Sequence, residues 1–584
     1  MGFIKPSPPP FDLEEWRAKP YLSRLKANVQ EWAVNGFGTA SVAYLLYAVK
    51  LVVYAVGALA LISATTRGLG GLSDIGAWWT EPIVFQKLAV WTLLWGILGL
   101  GEGSMPLTLR FLPPIGGILY WLRSGTVRLP PWPGKVPLTR GSRRTLVDVV
   151  LYAAVLGAGG YLMVADGEAA AGTAAGYLDP VAIAALLGLL AILGLRDKAP
   201  FLAARPEVYG FLLVVSLFPS ENQIAGWQLA FVCVWWGAAA SKLNRHFPYT
   251  TTVMISNTPW YPRFVKTRLW KRYPEDVRPS LLAGIAAHIG TALEFGPPLV
   301  LLLSGGGWIG TIALIVMLVF HIHITLTFPF GVPLEWNLFM IFGLLFLFGA
   351  YADVPLASAG NPLMLVAIVA IGVLLPIAGN LRPDKISFLP GMRYYAGNWP
   401  TSLWLFRRDA GAEEKLDRDV TKSATMPITQ LTRLYGPDMA GYLMEKVLAF
   451  RAMHSHGRAL NGLLARAVQD VDEYDVRDGE WLAGAVAGWN FGEGHLHHEQ
   501  LLEAVQEQCG YEDGDLRVVM LESQPAHIPR QRYRIHDAAS GLIEEGWVDV
   551  AEMVKRGPWL EESFELPVEV TRRSESAGRP ATVR

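Results

Sequence analysis

Ten stretches of the chain stay apolar for close to the 20 residues that a helix needs to cross about 30 Å of hydrocarbon. They run over 40–64, 84–103, 145–165, 180–196, 204–220, 224–241, 280–304, 307–328, 335–352 and 362–380. The fifth is the weakest, because its apolar centre at 208–219 is short and begins beside Glu207. Beyond residue 380 the pattern changes. Apolar residues recur at helical spacing through 427–467 (Leu431, Leu434, Met439, Leu443, Val447, Leu448), and 481–489 is apolar and rich in small residues. Residues 499–508 read as a helix, Leu516–Leu521 alternates as a strand, and 532–537 and 547–550 read as a hairpin across Ala-Ala-Ser-Gly. The predicted architecture is a polytopic α-helical membrane protein of about ten transmembrane helices, followed by a C-terminal α+β domain.

Composition sharpens that division. Of the 584 residues 52% are hydrophobic and 17% charged. The charge is uneven, since 56 of the 101 Asp, Glu, Lys and Arg residues lie in 381–584. The chain therefore divides into an N-terminal segment (1–39), a helical bundle (40–380), a soluble domain (381–570) and a disordered basic end (571–584). Within the bundle, the loop 104–144 is long and basic. Its stretch 111–123 and the following Leu129-Pro-Pro-Trp-Pro suit a short interfacial helix and a stiff linker. A net charge of −1 gives no support to nucleic-acid binding, so the lipid bilayer is the predicted partner. Two cysteines, Cys233 and Cys509, are too few for a disulfide framework. Nothing at the start reads as a cleavable signal, because 1–36 is polar and Pro-rich.

Lys and Arg set the orientation. Residues 1–39 hold five, 104–144 seven and 242–279 eight, whereas Arg67 alone breaks the pattern in the alternate loops. Both termini are thereby expected in the cytoplasm, with the bundle in a bacterial inner membrane.

Ionisable residues at membrane depth are costly and so face protein or a cavity. Lys50 lies in the middle of the first span, Lys242 closes the sixth, and His288 and Glu294 lie in the seventh. His321 and His323 sit near the end of the eighth, and Asn337 lies just inside the ninth. The two histidines are about 200° apart on a helix, so one faces inward and the other outward. Pro297 and Pro298 deprive the carbonyls of Leu293 and Glu294 of their helical partners. Glu294, those carbonyls and His288 are therefore candidates to line a polar cavity. In the tail, His495-Leu-His497-His498-Glu499 is a weak metal-ligand candidate, placed just before a helix where solvated cap and surface residues also fit. No phosphate-binding loop is present.

Three segments in order carry a resemblance. Trp236-Gly-Ala-Ala-Ala-Ser-Lys242-Leu-Asn is similar to a run in the vitamin K-dependent γ-carboxylases, which belong to the wider HTTM (horizontally transferred transmembrane) family. Ala287-His288-Ile-Gly-Thr-Ala-Leu-Glu294 resembles the next helix of that family. Phe320-His321, with Phe328-Pro-Phe and Glu335-Trp-Asn337 after it, resembles the helix and aromatic turn that follow. The resemblance covers about 205–350. It implies a membrane enzyme acting on a quinone or lipid, with Lys242 as base and His321 assisting by hydrogen bonding. As polar groups at membrane depth, Lys50, His288, Glu294 and Asn337 are the candidates to line its substrate cavity. It departs from that family at Ser241, where the family has a second lysine, and in the whole tail. Taken whole, the chain also resembles a family of multi-pass proteins from mycobacteria and related actinobacteria to which no activity is assigned. A non-catalytic scaffold presenting the cytoplasmic domain and a transporter remain open alternatives to the enzyme.

Overall fold

The computed structural model describes residues 3–101, 116–327, 333–421, 426–559 and 566–574. Each of the ten apolar stretches forms helix, but ten spans are not what the helices support. Six are long and apolar enough to cross a membrane: Ser41–Thr65, Leu146–Val164, Ser220–Ser241, Leu281–Leu303, Gly307–Thr327 and Pro362–Leu381. The other four are shorter: Pro82–Ile97, Pro180–Arg196, Pro206–Val215 and Leu334–Ala350. Length explains the difference. At 1.5 Å per residue, the 16 residues of Pro82–Ile97 reach only about 24 Å. That helix is buried along nearly its whole length, including Gln86, Lys87 and Thr92, so it is an interior element with no lipid-facing stripe. Pro206–Val215 is shorter still and opens on a wide π turn at Pro206–Gly210.

The segment before the first spanning helix is not a loose polar leader. Helix Tyr21–Asn35 buries Tyr21, Leu25, Val29 and Trp32, which lie on one face at helical spacing. That face meets helix Pro437–Met453 of the tail. Arg24 Nε donates to Glu445 Oε1 at 2.9 Å, and the Trp32 and Phe450 rings pack at a tilt with their centroids 5.5 Å apart. The N-terminal segment and the tail therefore lie on the same side of the bundle. The basic loop after the second apolar helix joins them there. Of the predicted interfacial helix 111–123, the first five residues lie outside the described residues, and Gly116–Trp121 is helical. Trp121 is fully buried rather than interfacial, with its indole donating to Ala487 O of the tail at 3.1 Å. Behind it, Arg128 and Arg196 both pair with the buried Asp148, and Arg144 pairs with Asp197. These pairs fasten the loop to the ends of Leu146–Val164 and Pro180–Arg196.

A short antiparallel hairpin, β1 (Trp270–Arg272) and β2 (Asp276–Pro279), leads into the spanning helix Leu281–Leu303. The tail holds a six-stranded antiparallel sheet of β3 (Thr401–Arg407), β4 (Tyr474–Asp478), β5 (Leu516–Leu521), β6 (Arg530–Asp537), β7 (Gly541–Asp549) and β8 (Val568–Arg573). Its order is β4-β3-β5-β6-β7-β8. The predicted strand and hairpin appear as β5, β6 and β7, and the helix predicted over 499–508 as Glu499–Cys509. The long helical pattern of 427–467 breaks into Pro427–Tyr435, Pro437–Met453 and Ser455–Ala467. Gly436, with φ of 84°, makes the first break in a backbone conformation that favours glycine. The end of the chain is not disordered from 571 onward, since Thr571 to Arg573 complete β8 against β7. Residues 575–584 lie outside the described residues.

Candidate functional site

Two helix ends and the tail enclose a cavity of about 390 Å³. Lys242 caps the C-terminus of Ser220–Ser241, where the helix dipole favours a cation. Glu294 lies on the buried stripe of Leu281–Leu303 that also carries Ala283, Ala287, Thr291 and Pro298. The two side chains meet at the cavity wall: Lys242 Nζ donates to both carboxylate oxygens of Glu294, at 2.6 Å to Oε2. Both are nearly buried, and the ammonium also lies 5.5 Å from the centre of the Phe247 ring. A pair so placed neutralises two charges that neither helix could bury alone.

The rest of the wall is mostly apolar, with polar groups at Thr250, Thr251, Tyr261 and His323. The tail supplies Tyr394, Tyr395 and Phe491. A second cation, Arg205, reaches the cavity from the start of the short helix. Its backbone is left-handed (φ of 51°), its Nε donates to Glu207 at 2.6 Å, and its guanidinium lies 5.1 Å from both the Tyr394 and Phe491 rings. Tyr394 donates in turn to Glu207 at 3.1 Å. Ile289 and His323 are exposed on the outer surface of the bundle and also line the cavity, so the cavity opens sideways between Leu281–Leu303 and Gly307–Thr327.

The predicted residues divide into those at the cavity and those elsewhere. Lys242 and Glu294 face it together. His321 is buried behind it: Trp235 Nε1 donates to its Nε2 at 3.0 Å, so Nδ1 carries the proton and donates to Asn337 Oδ1 at 2.9 Å. Asn337 also donates to Pro333 O at 2.9 Å. His321 and Asn337 thus form a saturated polar cluster within the bundle, and neither lines the cavity. His323 takes the outward position that the 200° spacing predicts, and lines the cavity from there with its ring 6.4 Å from that of Tyr261. His288 is exposed on the outer face, because six helical residues separate it from Glu294 by about 120°. Lys50 has a different carboxylate, its Nζ lying 2.6 Å from Glu335, which also accepts from Trp95 Nε1 at 3.2 Å. The aromatic turn of the resemblance at Phe328-Pro-Phe lies outside the described residues.

The tail histidines are not surface caps. His497 is buried and bonded to Ser402 Oγ at 2.6 Å, away from the other two. His495 and His498 turn toward Glu522 at the end of β5, and the three ligand atoms lie within 4.8 Å of one another. Glu522 had no signal in the sequence that tied it to them.

Comparison with known proteins gives a single kind of answer. The family described as transmembrane protein of unknown function (DUF3556) matches residues 1–571. No curated protein and no solved structure matches the chain. The expected membership of the carboxylase-like HTTM family thus has no match behind it, while the expectation of a multi-pass membrane family without an assigned activity has one. With six helices among the described residues long and apolar enough to cross a membrane, and a family match over nearly its whole length, the chain belongs to the DUF3556 family of transmembrane proteins.

Proposed function

We propose that the cavity between the bundle and the tail binds an amphiphile, a quinone or a lipid, with its polar head at the Lys242–Glu294 pair and its apolar part toward the opening between the helices. The observation that carries this reading is the pairing of a buried ammonium and carboxylate on the wall of an otherwise apolar cavity that opens laterally. A water-soluble solute would call for more polar lining, and an ordinary packing contact would leave no cavity.

The same pair supports proton transfer to or from the bound head. Passing a proton from Lys242 to Glu294 turns the ammonium–carboxylate pair into a neutral amine and a carboxylic acid, with no net charge left in the apolar wall. The neutral amine then accepts the proton of a ligand hydroxyl, and the resulting ammonium and oxyanion attract one another. This reading keeps the carboxylase-like role of Lys242 as base. It gives His321 a positioning role through Trp235 and Asn337, with no direct contact to the ligand. The protein would sit in a bacterial inner membrane with both termini cytoplasmic, a reading supported by the basic segments around 1–39, 116–144 and 242–279 and by the packing of the N-terminal helix on the tail.

Equilibrium binding to the detergent-purified chain tests the proposal. A naphthoquinone or a lysophospholipid should bind saturably, and replacing both charges (Lys242→Met with Glu294→Leu) should weaken binding at least about tenfold. Equal partitioning of both probes into wild type and the double variant would mean that they report detergent and bulk protein surface only.

A further inference from the structure

We propose a second site, in the tail: His495, His498 and Glu522 form a binding site for a divalent transition-metal ion, Zn²⁺ above all, with a coordination position left open. Their ligand atoms lie within 4.8 Å of one another. A tetrahedral ion with bonds of about 2.0–2.1 Å holds its ligands about 3.4 Å apart, so closure needs side-chain shifts of about an ångström. His495 Nε2 and the Glu522 carboxylate are already 3.0 Å apart.

The outer contacts of each histidine leave the ligating nitrogen on the correct side. His498 Nε2 donates to Thr401 O at 3.2 Å, which puts its lone pair on Nδ1. For His495 the ring is reversed: Nδ1 faces the buried carboxylate of Glu493 at 3.6 Å, and Nε2 faces Glu522. A carboxylate or carbonyl behind each ligating imidazole is the arrangement that fixes tautomer and orientation in metal sites. Glu522 is itself steadied by the Ser523 amide, which donates to Oε1 at 2.9 Å. Two imidazoles and one carboxylate suit zinc or a similar ion, and three protein ligands leave a fourth position free.

Arg534 bears on the charge balance. It lies 3.8 Å from Glu522 and 3.5 Å from His498 Nδ1, but its other arm is held 2.7 Å from Glu499. An arriving cation would repel the guanidinium further onto Glu499 and leave Glu522 and His498 Nδ1 to the ion. His495 is 17% exposed in its side chain and supplies the way in.

The test uses the full chain in detergent, stripped with a chelator and dialysed against Zn²⁺. It should retain about one ion per chain by elemental analysis, and Co²⁺ in its place should give the visible absorption of a four- or five-coordinate ion. Competition with a chromophoric chelator should show Glu522→Gln and His498→Gln weakening Zn²⁺ affinity by more than about 100-fold, and Glu493→Gln by about 10- to 100-fold. His536→Gln, whose ring faces Glu499 at 3.7 Å, should leave it unchanged. Wild-type protein that retains less than about 0.1 ion per chain overturns the assignment whether or not any variant folds. So does one ion bound with unchanged affinity in both ligand variants.

Discussion

Removing Lys242 alone should destabilise the protein far more than removing Lys242 and Glu294 together. The Lys242→Met variant leaves the Glu294 carboxylate buried, only 4% exposed, with the ammonium that bonded both its oxygens gone. Breaking a buried pair by deleting one partner costs about 3–5 kcal/mol, whereas exchanging both charges for apolar side chains is often close to neutral. Glu294→Leu should cost a similar amount, because it strands the ammonium. Lys242→Met with Glu294→Leu should return to within about 1–2 kcal/mol of wild type, giving a coupling of about 4–9 kcal/mol in the cycle. The assay is reversible unfolding in mixed micelles of rising denaturing-detergent fraction, followed by tryptophan fluorescence. Additive losses, or single variants costing less than about 1 kcal/mol, would refute the pair as a buried contact. The double variant has a second use, because a folded protein without the charges separates loss of ligand from loss of structure.

Lys50→Met should cost about 2–3 kcal/mol in the same assay, less than Lys242→Met because Lys50 is 25% exposed; Lys50→Arg should recover most of it. An unchanged Lys50→Met would mean that Trp95 holds Glu335 without it. Gly96→Ala should destabilise by at least about 2 kcal/mol, since the added carbon would lie 2.1 Å from Ala203 O, a backbone atom that cannot turn aside; wild-type stability would show that Pro82–Ile97 is not packed there. A pH effect should appear on the docking of the N-terminal helix. Burial pushes the Lys446 ammonium down to about 8, while Glu31 nearby opposes the shift. Between about pH 8 and 10.5 the unfolded chain holds that proton and the folded chain does not, so stability should rise with pH across that window. Protection factors of the Tyr21–Asn35 amides, taken against intrinsic exchange that speeds up with pH, should rise across the window, and Lys446→Met should abolish the rise. An equal trend in both would remove Lys446 as its source.

The sequence made the bundle legible because membrane helices state themselves in runs of apolar residues. It overstated the number of spans for the same reason, since an interior helix such as Pro82–Ile97 is as apolar as a lipid-facing one. The real discriminator was present but local: Gln86, Lys87 and Thr92 lie on several sides of that helix and none could face lipid. Strand β3 escaped notice because it is buried on both faces and so lacks alternation. The N-terminal helix was readable at Tyr21, Leu25, Val29 and Trp32, but its polar and proline-rich surroundings hid the spacing. At the site, Lys242 and Glu294 were each legible as charges in apolar elements. Their contact was not, because 52 residues separate them in sequence and periodicity is silent about partners. The outward position of His288 is legible in helix angle alone, about 120° from Glu294. Arg205 and Glu207 had a signal in the charges that open the weakest apolar run. The closure of the cavity by Tyr394, Tyr395 and Phe491 had none, because it depends on where the tail docks.

An amphiphile held in the cavity at the Lys242–Glu294 pair should survive purification with the protein. Native mass spectrometry with lipid extraction, on wild type and on the double variant Lys242→Met with Glu294→Leu, tests it most directly. A quinone or lipid should co-purify with wild type in about one copy and be lost from the folded double variant. The same molecule retained by both, or an empty wild-type protein, would contradict it.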